Sequence, residues 1–496
     1  MDDPTSPEPP QQAEGLDTKI LAVDSAKLGW FKVHNDSTTY GSTYPRQTGH
    51  GYHIEEGGPL PLTDWDIELD SDSPDARHLE LAAQKLRHLN IPVAFPTETV
   101  YGLGADATRS EAVRGIYAAK RRPADNPLIV HIASIRQLRE LLRSNVVEHG
   151  GPESPVEEED DPIPAIYKPL IRRFWPGPLT IILPKPSATR LAREVTAGLS
   201  TFGARMPRNL LALALIRLAN VPIAAPSANA STRPSPTAAE HVMDDLQGRI
   251  ELILDAGPCD VGVESTVVDG LCDPPCILRP GGVSLDQIRN VEGWERTVKA
   301  YKDEAAKSGE QPRAPGMKYR HYSPRARVML FEAGRNMPEG QEMAELAGQR
   351  RRLGLVRTKR WHMLGAQAAN GTHIAETEPK ATSHRHAKIE SLSMPYRLPA
   401  DSPIKQMLEE LSDYQSTMPK KRSIQTHGSD ETTEIWDMQI GPETKDIARG
   451  LFSALRDLDK KDVDCILVEG IDDSEGDVAA AVMNRLRKAA EITIAA

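Results

Sequence analysis

The stretch PTETVYGLGADATRSEAVRGIYAAKRRPADNPLIVHI, residues 96–131, restricts this chain to folds that alternate strands with helices. In order it carries a polar turn, a helix-like run over 111–119, a basic tripeptide, a break at Pro123 and Asp125-Asn126-Pro127, and an apolar run ending in His131. Proline pushes the residue before it out of the helical region, so the helix must stop near the tripeptide and an extended run must follow. Lys120 and Arg122 therefore emerge together at a loop, where an ammonium and a guanidinium can serve one polyanion. On charge alone, a solvated helix end whose cations complement the dipole reads the same way.

A second island, VPIAAPSANASTRPSPT over residues 221–237, reads as a short buried strand followed by a loop crowded with Ser227, Asn229, Ser231 and Thr232. Open α/β sheets bind ligands outside such strand ends, and hydroxyls and amides there can hydrogen-bond phosphate or sugar oxygens. By itself this is also ordinary turn chemistry. Three further segments fit the same purpose. STFGARMPRN puts Thr201 and Arg205 on a glycine-interrupted strand, GVESTVVDG offers Glu264, Ser265 and Thr266 between strand-like runs, and CILRPGGVS places Arg279 at a strand end. Four cations, Lys120, Arg122, Arg205 and Arg279, thus stand at element ends beside small polar residues, as a site for an anionic substrate requires.

The islands PTETVYGLGA, KRR, GARMP, SAN, DAGP, GVESTVVD and LRPG closely resemble the YrdC-like threonylcarbamoyl-AMP synthases in their long two-domain form. The family's KxR and SxN signatures appear as Lys120-Arg121-Arg122 and Ser227-Ala228-Asn229. The resemblance implies a twisted mixed α/β sheet with flanking helices around a concave cleft, plus a smaller Rossmann-like C-terminal α/β domain. It implies a nucleotidyltransferase that joins L-threonine, bicarbonate and ATP into L-threonylcarbamoyladenylate, with magnesium brought by ATP and no dedicated metal site. Lys120 and Arg122 would act on the triphosphate, with Asn126, Thr201, Ser227, Asn229, Ser235, Arg279 and Tyr322 completing the ATP contacts. Thr99, His131, Arg205, Ala225 and Ser265 would hold threonine, Arg205 supplying the fork for its carboxylate. The product would pass to a tRNA threonylcarbamoyl transferase complex that modifies position 37 of ANN-decoding tRNAs, the chain itself acting as a monomer with at most weak tRNA contact.

Two readings from other classes stand beside this one. GLGADA at 102–107 fits the G-x-G-x-x-G/A dinucleotide fingerprint and suggests an NADP-dependent oxidoreductase, although no acidic residue follows about twenty positions on to meet a ribose hydroxyl. A non-catalytic RNA-binding module is the other. The balance of 60 basic against 71 acidic residues weighs against a broad nucleic-acid surface.

With 496 residues the chain has room for two or three domains. We expect an N-terminal extension over 1–75, partly disordered, with little regular structure beyond ILAVD. A catalytic domain follows over 76–300, interrupted at 144–165 by an insertion whose six acidic residues between 153 and 161 have no basic partner nearby. Residues 301–324 form a linker whose APGMKYRHYSP segment is suited to close over the cleft as a lid, with Tyr322 its key residue. Residues 325–496 make the C-terminal domain, with a disordered excursion at 366–430. Cys259, Cys272, Cys276 and Cys465 are too few and irregular for a disulfide scaffold or a four-ligand zinc site, so we expect reduced thiols and a cytoplasmic protein. The acidic, proline-rich amino terminus is unlike a transit peptide, and no run is apolar enough for a membrane span.

Overall fold

The structure, a computed structural model, describes residues 15–33, 65–122, 126–143, 161–301, 321–362, 373–376, 419–425 and 432–495. Most of the acidic insertion, most of the expected lid and most of the 366–430 excursion lie outside these residues. The chain divides into two compact units, one made of Met1–Tyr322 with Asp473–Ala489, the other of Ser323–Asp472 with Ala490–Ala496.

The first unit is built on short strands: β1 Lys19–Ala22, β2 Gly29–Val33, β3 Trp65–Leu69, β4 Val93–Phe95, β5 Gly102–Asp106, β6 Ile129–His131, β7 Leu179–Pro184, β8 Thr201–Arg205, β9 Ile223–Ala224, β10 Leu252–Asp255, β11 Thr266–Asp269, β12 Cys276–Arg279 and β13 Val298–Lys299. Eleven of them form one mixed sheet in the order β1-β10-β4-β5-β9-β6-β8-β7-β11-β12-β13, and β2 pairs with β3 alone. Such short strands are viable because nearly every residue of β4, β5, β6 and β12 is buried, with helices supplying the covering surface. The helix Pro74–His88 shows the pattern that makes this work. Ser73 Oγ accepts the Ala76 N–H at 3.3 Å, Pro74 opens the first turn, and Leu79, Ala82, Ala83 and Leu86 line one buried face.

Three expectations change here. The extension is woven into the catalytic unit: β1 pairs in parallel with β10, and the buried Trp65 indole donates to Ala133 O at 2.7 Å. β1 falls on the ILAVD run, whereas β2 and β3 carry too few alternations to stand out in the sequence. Asp161, expected without a basic partner, pairs with Arg139 at 3.1 Å and Lys168 at 3.4 Å. GLGADA is not a turn between strand and helix, since Gly102–Asp106 is itself a central strand. Its glycines answer to packing: a Cβ on Gly104 would fall 2.7 Å from Phe95 Cε1 and 2.8 Å from Ile223 Cγ2. The dinucleotide reading loses its loop, and with it its phosphate cradle.

The second unit contains β14 Arg327–Phe331, β15 Arg352–Arg357, β16 His373–Glu376, β17 Lys420–Gln425, β18 Thr432–Gln439, β19 Cys465–Glu469 and β20 Ile492–Ile494, ordered β16-β17-β18-β15-β19-β14-β20. Five strands run parallel, as a Rossmann-like sheet requires, and β16 and β17 add antiparallel at one edge. Those two strands fall inside the stretch expected to be disordered. The charges of KKRSIQ hide the strand, yet Arg422 is buried on it and pairs with Asp437 at 3.3 Å. At the carboxyl ends of the parallel strands, where a nucleotide would be sought, the Glu469 carboxylate accepts the N–H groups of Thr358, Arg360 and Trp361 at 2.6, 2.6 and 3.0 Å. This unit thus fills its own anion-binding turn with a side chain.

Candidate active site

The polar side chains of the first unit converge where the central strands end. Helix Ser110–Lys120 stops because Arg121 takes a left-handed conformation (φ 50°), which lets the Arg121 N–H reach Ala118 O and the Arg122 N–H reach Tyr117 O. That reversal separates the basic tripeptide into three directions. Lys120 turns inward to 2% exposure, Arg121 stays exposed, and Arg122 lines a pocket.

One wall of this pocket comes from the turn after β4, with Thr97 and Thr99, together with Gly102 of β5 and Ile129 and His131 of β6. Arg205 of β8 and the Ala225-Pro226-Ser227 segment after β9 also line it, with Glu264 and Ser265 from just before β11 and Arg279 at the end of β12. His321 and Tyr322 complete the lining. Nine expected site residues thus meet in one place: Thr99, Arg122, His131, Arg205, Ala225, Ser227, Ser265, Arg279 and Tyr322.

Each is held by contacts of its own. Arg205 donates from Nη1 to Thr99 Oγ1 at 2.9 Å and from Nε to Gly177 O at 3.3 Å, and its Nη2 lies 2.7 Å from Glu98 Oε1. Arg279 grips Ser265, donating from Nη2 to the carbonyl at 2.9 Å and to Oγ at 3.0 Å. Burial pulls Arg279 down to about 10 against the opposing pull of Tyr322 and Glu264, which leaves it cationic at neutral pH. Burial, reinforced by Arg205, holds His131 down at about 3, and its Nδ1 sits 3.2 Å from Ile129 O. A carbonyl can only accept, so Nδ1 carries the proton of a neutral ring. Burial, then Arg122, does the same to His321, also at about 3.

The remaining expected residues lie outside this lining. The Lys120 ammonium, expected on the triphosphate, donates to the carbonyls of Ser227 and Asn229, the latter at 2.6 Å, and reaches Asn229 Oδ1 at 3.4 Å. These bonds tie the ammonium to the Ser-Ala-Asn loop. Asn229 accepts the Ser227 hydroxyl at 2.5 Å. Ser235, fully buried, donates to Glu264 Oε1 at 2.6 Å. Asn126 is buried beyond the end of helix Ser110–Lys120, and Thr201 opens β8 four residues before Arg205. The sequence reading gave no role to Thr97, Glu98 or His321, and offered Glu264 only as a neighbour of Ser265. Glu264 was visible in GVEST, but a carboxylate beside an anion site looks out of place until its partner is known.

A possible metal cluster lies elsewhere among the described residues. Cys272 Sγ and Cys276 Sγ are 3.5 Å apart, with the Asp269 carboxylate nearby, at the opposite end of β11 from Ser265. All four cysteines are free thiols.

A mixed eleven-stranded sheet whose strand ends gather arginines, hydroxyls and a neutral histidine defines an α/β fold with a polar, cation-rich cleft. Residues 88–281 match the family model described as "Telomere recombination", and residues 283–491 match "Threonylcarbamoyl-AMP synthase, C-terminal domain". Threonylcarbamoyl-AMP synthase of Schizosaccharomyces pombe is 44% identical over 488 residues, covering 96% of this chain and 98% of the relative. Its Bacillus subtilis namesake is 39% identical over 426 residues, 85% of this chain and 95% of the relative. The crystal structure of Pyrococcus abyssi Sua5 complexed with L-threonine superposes with a TM-score of 0.57 at 36% identity, covering 84% of this chain and 96% of that one. The chain belongs to the threonylcarbamoyl-AMP synthase family.

Proposed function

We propose that this chain converts L-threonine, bicarbonate and ATP into L-threonylcarbamoyladenylate and pyrophosphate. The observation that carries the reading is the convergence of Arg122, Arg205 and Arg279 with Thr99, Ser227 and Ser265 on one pocket. Family membership and a relative solved with L-threonine support the same substrates.

Bicarbonate and the threonine amine lose water to give an N-carboxylate. One of its oxygens attacks the α-phosphorus, the bond to the bridging oxygen breaks, and pyrophosphate leaves with that electron pair. Negative charge therefore gathers on the phosphates, and fixed cations rather than covalent catalysis must stabilise it. In this reading Arg122 and Arg279 meet the phosphates, with Ser227, Ser235, Asn126 and Thr201 on the nucleotide side. Arg205, Thr99, Ser265, His131 and the Ala225 backbone hold threonine. Lys120 acts through the loop bearing Ser227 rather than on phosphate, because its protons face carbonyl oxygens.

Magnesium enters as part of the nucleotide. The pocket's carboxylate, Glu264, already receives Arg485 and Ser235, so the phosphates themselves would hold the ion. The adenylate would pass to a tRNA threonylcarbamoyl transferase complex, and the free thiols fit a reducing cytoplasm. No helix among the described residues is long and apolar enough to cross a membrane.

The test incubates the purified chain with threonine, bicarbonate and α-labelled ATP. Threonine-dependent pyrophosphate with a labelled adenylate supports the reading. ATP consumption that ignores threonine would overturn it.

A further inference from the structure

Glu264 is an anion placed among the groups that would bind an anionic substrate, and its partners explain it. Its Oε1 receives the Ser235 hydroxyl at 2.6 Å, and its carboxylate also hydrogen-bonds the Tyr322 hydroxyl. Its Oε2 meets Arg485 Nε at 3.0 Å, from 221 residues further along the chain. Arg485 belongs to the helix Asp477–Ala489, which is part of the same compact unit. Its side chain is 1% exposed and that of Glu264 is 8% exposed.

Arg485 does more than neutralise a charge. Its Nη1 donates to Pro280 O at 2.6 Å, directly after Arg279, and to Ala481 O of its own helix at 3.3 Å. One planar guanidinium therefore ties the segment carrying Glu264 and Ser265 to the segment carrying Arg279. Three residues on, Lys488 O accepts the His321 N–H at 3.3 Å. The helix thus supports the His321-Tyr322 side of the pocket twice: through the backbone, and through the chain Arg485, Glu264, Tyr322.

We propose that Arg485 is a positioning residue for the nucleotide half of the site, holding the Glu264 carboxylate where it can receive Tyr322 and Ser235 while fixing the strand end that bears Arg279. It touches no substrate. A buried ion pair is weak evidence for stability, since apolar pairs of similar volume often serve as well. Its value here lies in direction: a fixed fork aims the carboxylate, and an apolar pair aims nothing.

The inference rests on the site reading above, and threonine-dependent adenylate formation by the wild-type chain secures that reading separately. The test is a double-mutant cycle on the full chain, with KM for ATP and kcat measured for Arg485→Gln, Tyr322→Phe and both together. Arg485→Gln should raise KM for ATP at least about tenfold and leave KM for threonine within about threefold. The double variant should be no worse than about threefold beyond the poorer single one, because both changes break one chain of contacts. Arg485→Lys, which keeps the charge, should recover part of the loss. Should Arg485→Gln not fold, Glu264→Gln with Arg485→Met removes both buried charges and should show the same ATP defect. Multiplicative losses in the cycle, or normal ATP kinetics in whichever of these variants folds, would overturn the proposal.

Discussion

Arg205 Nη2 lies 2.7 Å from Glu98 Oε1, with the two side chains only 4% and 1% exposed, yet neither atom makes an aligned hydrogen bond among the described residues. The pair is held by charge, while Thr99 and Gly177 take the other guanidinium protons. A buried donor without an acceptor costs free energy, and a ligand carboxylate at this edge would recover it.

Arg205→Lys tests that role, since Arg205→Ala would strand Glu98 in the interior at a cost of about 3–5 kcal/mol. A lysine keeps the charge and loses the fork, so threonine binding should weaken at least about tenfold while ATP binding stays near normal. Isothermal titration with each ligand separates the two. A loss confined to ATP would reassign the residue.

Lys120 and Arg122 stand two positions apart but should fail differently. Arg122→Ala should lower turnover at least about tenfold, about 1.4 kcal/mol of transition-state stabilisation, with a nearly unchanged urea midpoint. Lys120→Ala removes charged hydrogen bonds to buried carbonyls and should cost about 2–3 kcal/mol of stability. Paired kinetics and urea unfolding read both. Lys120→Ala with full stability and only a kinetic loss would return the ammonium to the phosphates.

Gly281 seats the Arg279 turn against the Glu264 backbone. A Cβ there would lie 2.2 Å from Glu264 O and 2.4 Å from Ser265 C and Thr266 N, all main-chain atoms that cannot swing aside. Gly281→Ala should cost about 1–3 kcal/mol and weaken threonine binding by shifting the segment that carries Ser265. Wild-type stability and kinetics would show that the turn yields freely.

His131 and His321 are each held near 3 mainly by burial, whereas in the unfolded chain they titrate near about 6.5. Between those values the unfolded chain binds more protons. Stability from these neutral rings is therefore complete above about pH 6.5 and falls as pH drops toward 3. Urea midpoints measured from about pH 7 down to pH 4 should decline, and His131→Gln should flatten the decline by about one proton's worth of slope. An unchanged slope would mean that the ring is protonated in the folded chain.

The local grammar of the site was legible in the sequence. Proline breaks, glycine turns and cations at element ends are properties of a few consecutive residues, so the order of the islands was enough to bring Arg122, Ser227, Arg205 and Arg279 into one hypothesis. The family resemblance added which of them faces which substrate. In the C-terminal part, the helix Thr444–Asp459 is long enough to show its period and CILVE stands out as a continuous apolar run.

Direction and pairing across distance belonged to the tertiary structure. A left-handed residue at Arg121 decides that Lys120 turns into the protein and Arg122 into the pocket, and three basic letters in a row carry no sign of it. GLGADA has the spelling of a phosphate loop, but Phe95 and Ile223 packing over Gly104 make it a strand. The ILAVD run reads as extended locally, but only the fold shows that it pairs with β10. Glu264 reads as surplus acid until Arg485 arrives from 221 positions away. Torsional preferences and turn chemistry act over a few bonds and are written locally, whereas packing and ion pairing act through space and exist only once the chain has folded.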